Sequence, residues 1–338
     1  MLTVHVRARR RSDGELAERL LLAEIARLEA VFSVFRADSE LSRWRSSAGG
    51  VPVSDELAAL LRLGLQWQAR SAGVFNPAVG EATALWQRAE AQATMPEDDA
   101  VAAVATGLQG PRYALGGDDD GGPPMMLGDC SALNFNALAK GLVVERACRH
   151  VAGAVEVDEL LVNIGGDLRH VGGPGVIVAI EDPARPYDNA EPLTRVRVTG
   201  AGLATSGSSR RGVRIGEQWF SHVIDPRTAR PVERVMSASV IASDAAIAEV
   251  VATVLSVLDP VDGLAFVQAN VDHAGPWTSC VVDDGSVVHT NRRRTTRSCD
   301  DLALGDRQRV ATTTRMATRT APPAADQSAL RRRAFTTS

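Results

Sequence analysis

Apolar positions recur with two different periods along this chain, and the places where the period changes outline its organisation. Between residues 15 and 32, Leu21, Ile25, Leu28 and Phe32 stand three or four residues apart among charged neighbours, which predicts a surface helix ending near Ser33. Ser54, followed by Asp55, Glu56, Leu57, Leu60 and Leu61, predicts an N-capped helix to about Gln68, with acids in its first turn where the helix dipole favours them. Gly73-Val74-Phe75-Asn76-Pro77 breaks the pattern, and an alanine-rich helix follows to about Ala93. Beyond Lys140 a helix runs to about Val151. Short β-type runs come next, at Leu160 to Ile164, Val176 to Ile180, Arg195 to Val198, Gln218 to Val223 and Ser237 to Ile241. Helices over 244 to 258 and 261 to 269 precede a hairpin, where Val281-Val282 and Val287-Val288 flank an Asp284-Gly285 turn signal. Strands and helices mix without regular alternation, so the expected class is α+β rather than a doubly wound sheet.

Two segments stand apart from this pattern. Residues 116 to 124, Gly-Gly-Asp-Asp-Asp-Gly-Gly-Pro-Pro, have nothing to bury and are expected to form an exposed insertion. From Asn291 onward the apolar periodicity stops. Residues 291 to 338 hold 11 Arg against 4 Asp and no Glu, so the net charge of -4 combines a basic tail of +7 with a body of -11. We expect one folded domain over residues 1 to 290 and a disordered tail. An acidic body excludes the basic groove that a nucleic-acid-binding core needs. With 338 residues and 45% apolar side chains, the body can bury a full core. The four cysteines form no CxxC pair and no zinc spacing. There is no signal-peptide core and no bilayer-spanning stretch, so the expected location is cytoplasmic.

Candidate chemistry starts with Lys140. It is the single lysine, every other residue among the 37 Lys plus Arg being arginine. A compact ammonium at a position where arginine's broad fork would not serve suits the grip on a phosphate. Within 244 to 258, Glu249, Thr253 and Ser256 form one polar stripe on an otherwise apolar helix. Glu249 and Thr253 offer a carboxylate and a hydroxyl to one point, a hard-oxygen site suited to Mg2+. Alternatively, Glu249 reaches solvent and Thr253 bonds its own i-4 carbonyl. Asn163-Ile164-Gly165-Gly166-Asp167 predicts either a close backbone approach to a ligand or a tight turn. Ala204 to Ser209 reads as a loop whose hydroxyls and N-H groups suit a phosphate. Ser221-His222-Val223-Ile224-Asp225-Pro226-Arg227-Thr228 places a histidine able to take a proton from a hydroxyl three residues before a carboxylate. The other five histidines are expected to be structural or surface residues.

Together and in this order, the segments from about Phe32 to Gly285 resemble the ApbE family of FAD:protein FMN transferases. The most specific part is Ser221 to Thr228, close to the family's S-H-I-I-D-P-R-T-G. Asp38 to Arg43, Gly73 to Pro77, Leu138 to Gly141, Asn163 to Asp167, Glu181 to Pro183, Thr205 to Gly207 and Ala248 to Thr253 support it. The resemblance implies a T-fold-like α+β domain with FAD and Mg2+ in a cleft. It also implies an enzyme that moves FMN from FAD onto a serine or threonine hydroxyl of an acceptor protein and releases AMP. On the matched positions, Glu249, Thr253 and the carbonyl of Ala137 would hold Mg2+. His222 would act as general base, with Asp225 orienting or replacing it and Lys140 acting on the phosphates. Phe35, Val74, Phe75, Asn76, Asn134, Lys140, Gly165, Gly166, Asp167, Thr205, Ser206, Gly207 and Val223 would contact the cofactor. This chain departs from the family pattern at several places: Glu249 and Asn76 each replace an aspartate, Ala78 replaces a threonine, Asn134 stands where aspartate is common, and Ala229 replaces a glycine. Two alternatives are an Mg2+-dependent FAD pyrophosphatase yielding FMN and AMP, in which water replaces the acceptor hydroxyl at the same site, and an FAD binder without turnover, which Glu249, Asn76 and Asn134 motivate.

Overall fold

The computed structural model describes residues 2–47, 51–116, 124–185, 187, 189–207, 211–271, 277–282 and 287–290. The tail from Asn291 and most of the predicted insertion lie outside the described residues, as does the Asp284-Gly285 turn.

In chain order the first half contains β1 (Leu2–Arg7), α1 (Arg11–Phe32), α2 (Glu40–Arg45) and α3 (Asp55–Arg70). A 3-10 turn at Pro77–Val79 leads to α4 (Gly80–Gln92), α5 (Asp98–Gly107), β2 (Tyr113–Ala114) and β3 (Met125–Met126). Then come α6 (Asn136–Ala154), β4 (Glu159–Ile164), β5 (Asp167–Gly172), β6 (Val176–Ile180), β7 (Thr194–Val198) and β8 (Gly202–Gly207). The remainder is β9 (Gly212–Ile215), β10 (Gln218–Ser221), β11 (Ile224–Asp225), β12 (Arg230–Pro231), β13 (Val235–Ala242), α7 (Ala245–Val257), α8 (Pro260–Asn270), β14 (Trp277–Val282) and β15 (Val287–Thr290).

A seven-stranded sheet organises these elements, in the order β1-β4-β5-β8-β13-β14-β15, with every neighbouring pair antiparallel. Four two-stranded hairpins surround it. The class is therefore α+β, as the irregular alternation predicted. Helices α6 and α7 pack against each other and against β5 and β8, while α1 lies along α6. Leu168 and Leu203 face the opposite side of the sheet, in a small core closed by Ile180, Val196 and Val198 of the β6–β7 hairpin.

Two glycines, Gly141 of α6 and Gly202 of β8, set how closely α7 is approached. A Cβ on Gly141 would lie 2.5 Å from the carbonyl oxygen of Ala245, and one on Gly202 would lie 2.6 Å from the backbone nitrogen of Ala245. The first turn of α7 is thus held between α6 and β8, with no room for a methyl group on either side. Ser54 caps α3 as predicted, accepting the Leu57 N–H at 3.2 Å.

Some elements differ from the sequence reading. Helix α6 starts at Asn136, so Lys140 lies inside the helix rather than at its entry. Ala204 to Gly207 belong to strand β8, paired with β13, rather than to a loop; Ser208 and Ser209 lie outside the described residues. Strands β1 and β5 and helices α2 and α5 were not anticipated. Each is six to ten residues long, too short for its periodicity to stand out. No helix among the described residues is long and apolar enough to cross a membrane.

Inserting a methyl group at the tight crossing has a measurable cost. Gly202→Ala is expected to lower unfolding stability by about 1–3 kcal/mol, because the clash is with backbone that no rotamer change relieves. A denaturant melt that leaves the midpoint unchanged would show that α7 has room to move.

Candidate functional site: a buried ammonium shared by two carboxylates

Lys140 projects from α6 between Asp167, the first residue of β5, and Glu249 of α7, and its Nζ donates to Asp167 Oδ2 and Glu249 Oε1. Both acids are buried, with side chains 4% and 5% exposed, whereas the lysine side chain is 38% exposed. The second oxygen of Glu249 accepts the Gly141 N–H at 2.7 Å. In a regular helix that N–H points at the carbonyl four residues earlier, which is Ala137's. Glu249 therefore does not reach solvent. Thr253 does take the local alternative, since its hydroxyl donates to the Glu249 carbonyl at 3.1 Å, and Ser256 does the same to Ala252 at 2.9 Å.

The turn that delivers Asp167 is a tight one. Gly165 and Gly166 have φ of 63° and 107°, and Asn163 Oδ1 accepts the Gly166 N–H at 3.0 Å. Positive φ at both central residues suits a two-residue hairpin and explains the glycine pair.

Were both acids ionised, they would outnumber the single ammonium by one charge. Burial, and then the neighbouring Asp167 charge, push the Glu249 carboxyl up to about 8. Burial likewise raises Asp167, although Lys140 works against the shift. For Lys140, burial opposes the charged form, yet Glu249 and Asp167 hold the ammonium above the usual lysine range.

His222 follows β10, and its Nδ1 lies 3.1 Å from the Arg211 carbonyl. A carbonyl only accepts, so Nδ1 carries the proton and Nε2 the lone pair. Burial of the ring, in an otherwise exposed residue, pushes its pKa below the ordinary histidine value; the Arg211 carbonyl opposes this, and the charges of Arg211 and Lys140 reinforce it. Lys140 and His222 are thus close enough to influence each other. Asp225 does not orient the imidazole in this geometry, because its carboxylate is engaged by Arg227, with Nε at 2.9 Å from Oδ1 and Nη2 at 2.8 Å from Oδ2. The orienting role falls to the Arg211 carbonyl. Sequence reasoning missed Arg211, whose signal was confined to an arginine pair beside the Ser208-Ser209 segment.

The remaining candidates differ in burial and in the partners they hold. Val74, Phe75 and Asn76 are buried, and Asn76 caps the 3-10 turn through Ala78 N–H at 2.9 Å while its amide donates to the Leu108 carbonyl at 2.9 Å. Their side chains serve the core, which leaves backbone for any ligand contact. Asn134 ties this segment to α6: its N–H donates to the Pro77 carbonyl at 2.7 Å and its Oδ1 accepts the Asn136 N–H at 2.9 Å. Thr205 Oγ1 is 2.8 Å from Ser239 Oγ, and the Ser206 carbonyl lies 3.5 Å from Ser256 Oγ of α7. Val223 is buried, and Phe35 is 82% exposed. Among the described residues, no group of three or more His, Cys, Asp or Glu is placed to hold a metal ion.

A family model described as "ApbE family" matches residues 2–274. The chain belongs to the ApbE family. Among curated relatives, a protein of Rhodobacter capsulatus named FAD:protein FMN transferase is 31% identical over 246 residues, covering 72% of this chain and 45% of its own length. One of the same name from Treponema pallidum is 29% identical and 68% covered on both sides. The chain thus spans less than half of the first relative and about two thirds of the second. The solved apo structure of the Pseudomonas stutzeri flavinyl transferase ApbE superposes with a TM-score of 0.67 at 26% identity, over 86% of this chain and 90% of that one. The ApbE protein of Thermotoga maritima, at 20% identity and a TM-score of 0.70, shows the same fold.

The single lysine gives this cluster a direct readout. In protein labelled with 13C at lysine Cε, the one lysine signal is expected to titrate above the ordinary value of about 10.4, and at lower pH in Glu249→Gln. Titration at or below the ordinary value in the unaltered protein would mean that the two carboxylates do not hold the ammonium.

Proposed function

We propose that this chain transfers FMN from FAD to a serine or threonine hydroxyl of an acceptor protein and releases AMP, with Mg2+ as the metal. The observation that carries the reading is the Lys140–Asp167–Glu249 cluster, with the His222 imidazole oriented by the Arg211 carbonyl, in a chain whose relatives bear the transferase name.

The residues present fit a hard divalent cation. With both acids ionised the cluster would carry one negative charge beyond its ammonium, burial and the Asp167 charge raise the Glu249 carboxyl, and the Gly141 N–H, one turn after the Ala137 carbonyl, is bonded to Glu249. The Thr253 hydroxyl donates to the Glu249 carbonyl and keeps its lone pairs. Glu249, Thr253 and the Ala137 carbonyl would therefore hold Mg2+, with phosphate oxygens and water completing a shell that this ion rarely takes from protein alone. When bound, it would offset charge on the pyrophosphate.

The chain's own groups account for the transfer. Lys140 faces the phosphates as a point charge fixed by two acids. His222 Nε2 accepts the proton of the acceptor hydroxyl as its oxygen bonds to the phosphorus on the FMN side. The bond from that phosphorus to the bridging oxygen breaks, and AMP leaves with that oxygen. Phe35, the Val74 to Asn76 backbone, Asn134, the Gly165-Gly166 turn, Thr205 to Gly207 and Val223 would surround the cofactor. The acceptor is a protein that becomes covalently flavinylated.

Mass spectrometry of a candidate acceptor incubated with the chain, FAD and Mg2+ tests this reading. The expected result is an added FMN with one AMP per acceptor, a rate lowered about 100- to 10,000-fold in His222→Ala, and an acid limb of the pH profile below the ordinary histidine value. Free FMN and AMP with the acceptor unmodified would indicate pyrophosphatase activity instead. Bound FAD with neither product would indicate a binder.

A further inference from the structure

Behind the Lys140 cluster lies a second buried group that the proposed chemistry does not use. Glu145 stands one turn beyond Gly141 on α6 and is 1% exposed. One of its oxygens accepts from Arg149 Nε at 2.9 Å. The other accepts the backbone N–H of Ala245, the first residue of α7, at 3.0 Å and lies 3.1 Å from Arg169 Nε. Arg149 also reaches Asp244, whose side chain caps α7 through the Ala246 and Ile247 N–H groups.

The arrangement is reciprocal. Glu145 of α6 takes a backbone N–H of α7, and Glu249 of α7 takes a backbone N–H of α6, at Gly141. Within each helix the two participants are four residues apart: Gly141 and Glu145 on one, Ala245 and Glu249 on the other. The two donors also face each other, since a Cβ on Gly141 would lie 2.5 Å from the Ala245 carbonyl oxygen. Strand β5 repeats the pattern with opposite charges. Asp167 and Arg169, two residues apart and therefore on one face of the sheet, meet Lys140 and Glu145 respectively.

We propose that Glu145 is a positioning residue that fixes the register of α7 on α6, and thereby holds Glu249 against Lys140 and Gly141. This rests on the reading of Lys140 and Glu249 as part of the reactive centre. A one-residue slip or a tilt of α7 would carry Glu249 off the Gly141 N–H while leaving most apolar contacts of the helix intact. Close packing at Gly141 limits how near the helices come, but two hydrogen-bonded carboxylates specify which residues meet. The alternative is that Glu145 merely satisfies buried polar groups and adds stability without bearing on the cluster.

The test compares Glu145→Gln with Val151→Ala, a buried substitution on α6 that also costs stability but touches neither glutamate. The lysine 13Cε signal at fixed pH reports the cluster without any turnover. In folded Glu145→Gln that signal should move toward the position of free lysine, and transfer kcat should fall about 10-fold with the KM for FAD within about 2-fold; Val151→Ala should move neither. In a Glu249→Gln background, Glu145→Gln should add no further loss. A folded Glu145→Gln protein with an unmoved lysine signal, the same loss in the Glu249→Gln background, or equal changes in Val151→Ala would each overturn the proposal. Should the unaltered protein transfer no FMN while the lysine signal still responds to Glu145→Gln alone, the positioning role stands and the activity reading fails.

Discussion

One ammonium shared by two buried carboxylates is the interaction on which the other features of this site depend. Asp167 comes from the sheet, Lys140 from α6 and Glu249 from α7, so their meeting requires all three elements to be in register. Burying two acids against a single cation is costly unless hydrogen bonds and further charge compensate. The Gly141 N–H supplies one such bond, while burial and the Asp167 charge still raise the Glu249 carboxyl. A divalent cation and the phosphates it accompanies are of the charge and hardness to provide such compensation. The small residues around the cluster follow from the same need. Glycines at 141 and 202 let the first turn of α7 sit against both α6 and β8, which brings Glu249 within reach.

The departures from the family pattern have local physical explanations. Asn76 donates its amide to the Leu108 carbonyl, a bond that an ionised aspartate cannot make, so asparagine suits its buried position here. Asn134 accepts the Asn136 N–H as an aspartate would. Ala229 is held at a φ of 54°, where an L-residue is strained by about 1–2 kcal/mol, yet its N–H bonds Asp225 and its carbonyl accepts from Trp86. The longer arm of Glu249 spans from α7 to the backbone of α6. None of these replacements leaves a buried polar group of its own side chain stranded in the site.

Much of this was legible in the sequence, and the limits were physical. The amphipathic helices, the Ser54 cap and the α+β class came from periodicity and capping chemistry. Lys140 stood out by being the single lysine, and Glu249 by being charged in an apolar helix. What could not be read was which groups pair across the fold. Asp167 looked like the end of a glycine turn, and only the antiparallel pairing of β4 with β5 brings it under α6. Asp225 looked like the partner of His222, but the backbone turn at 225 to 229 gives its carboxylate to Arg227 instead. Glu145 carried no signal at all, since a glutamate in a helix is ordinarily a surface residue.

On the proposed reading, the Glu249 carboxylate of this cluster holds a divalent cation. Calorimetric titration of the chain with Mg2+ in the presence of FAD, repeated with Glu249→Gln, tests it most directly. One saturable site per chain is expected, with an affinity at least about 10-fold lower in the variant. Equal Mg2+ affinity in the two proteins would contradict it, because the metal would then sit somewhere the Glu249 carboxylate does not reach.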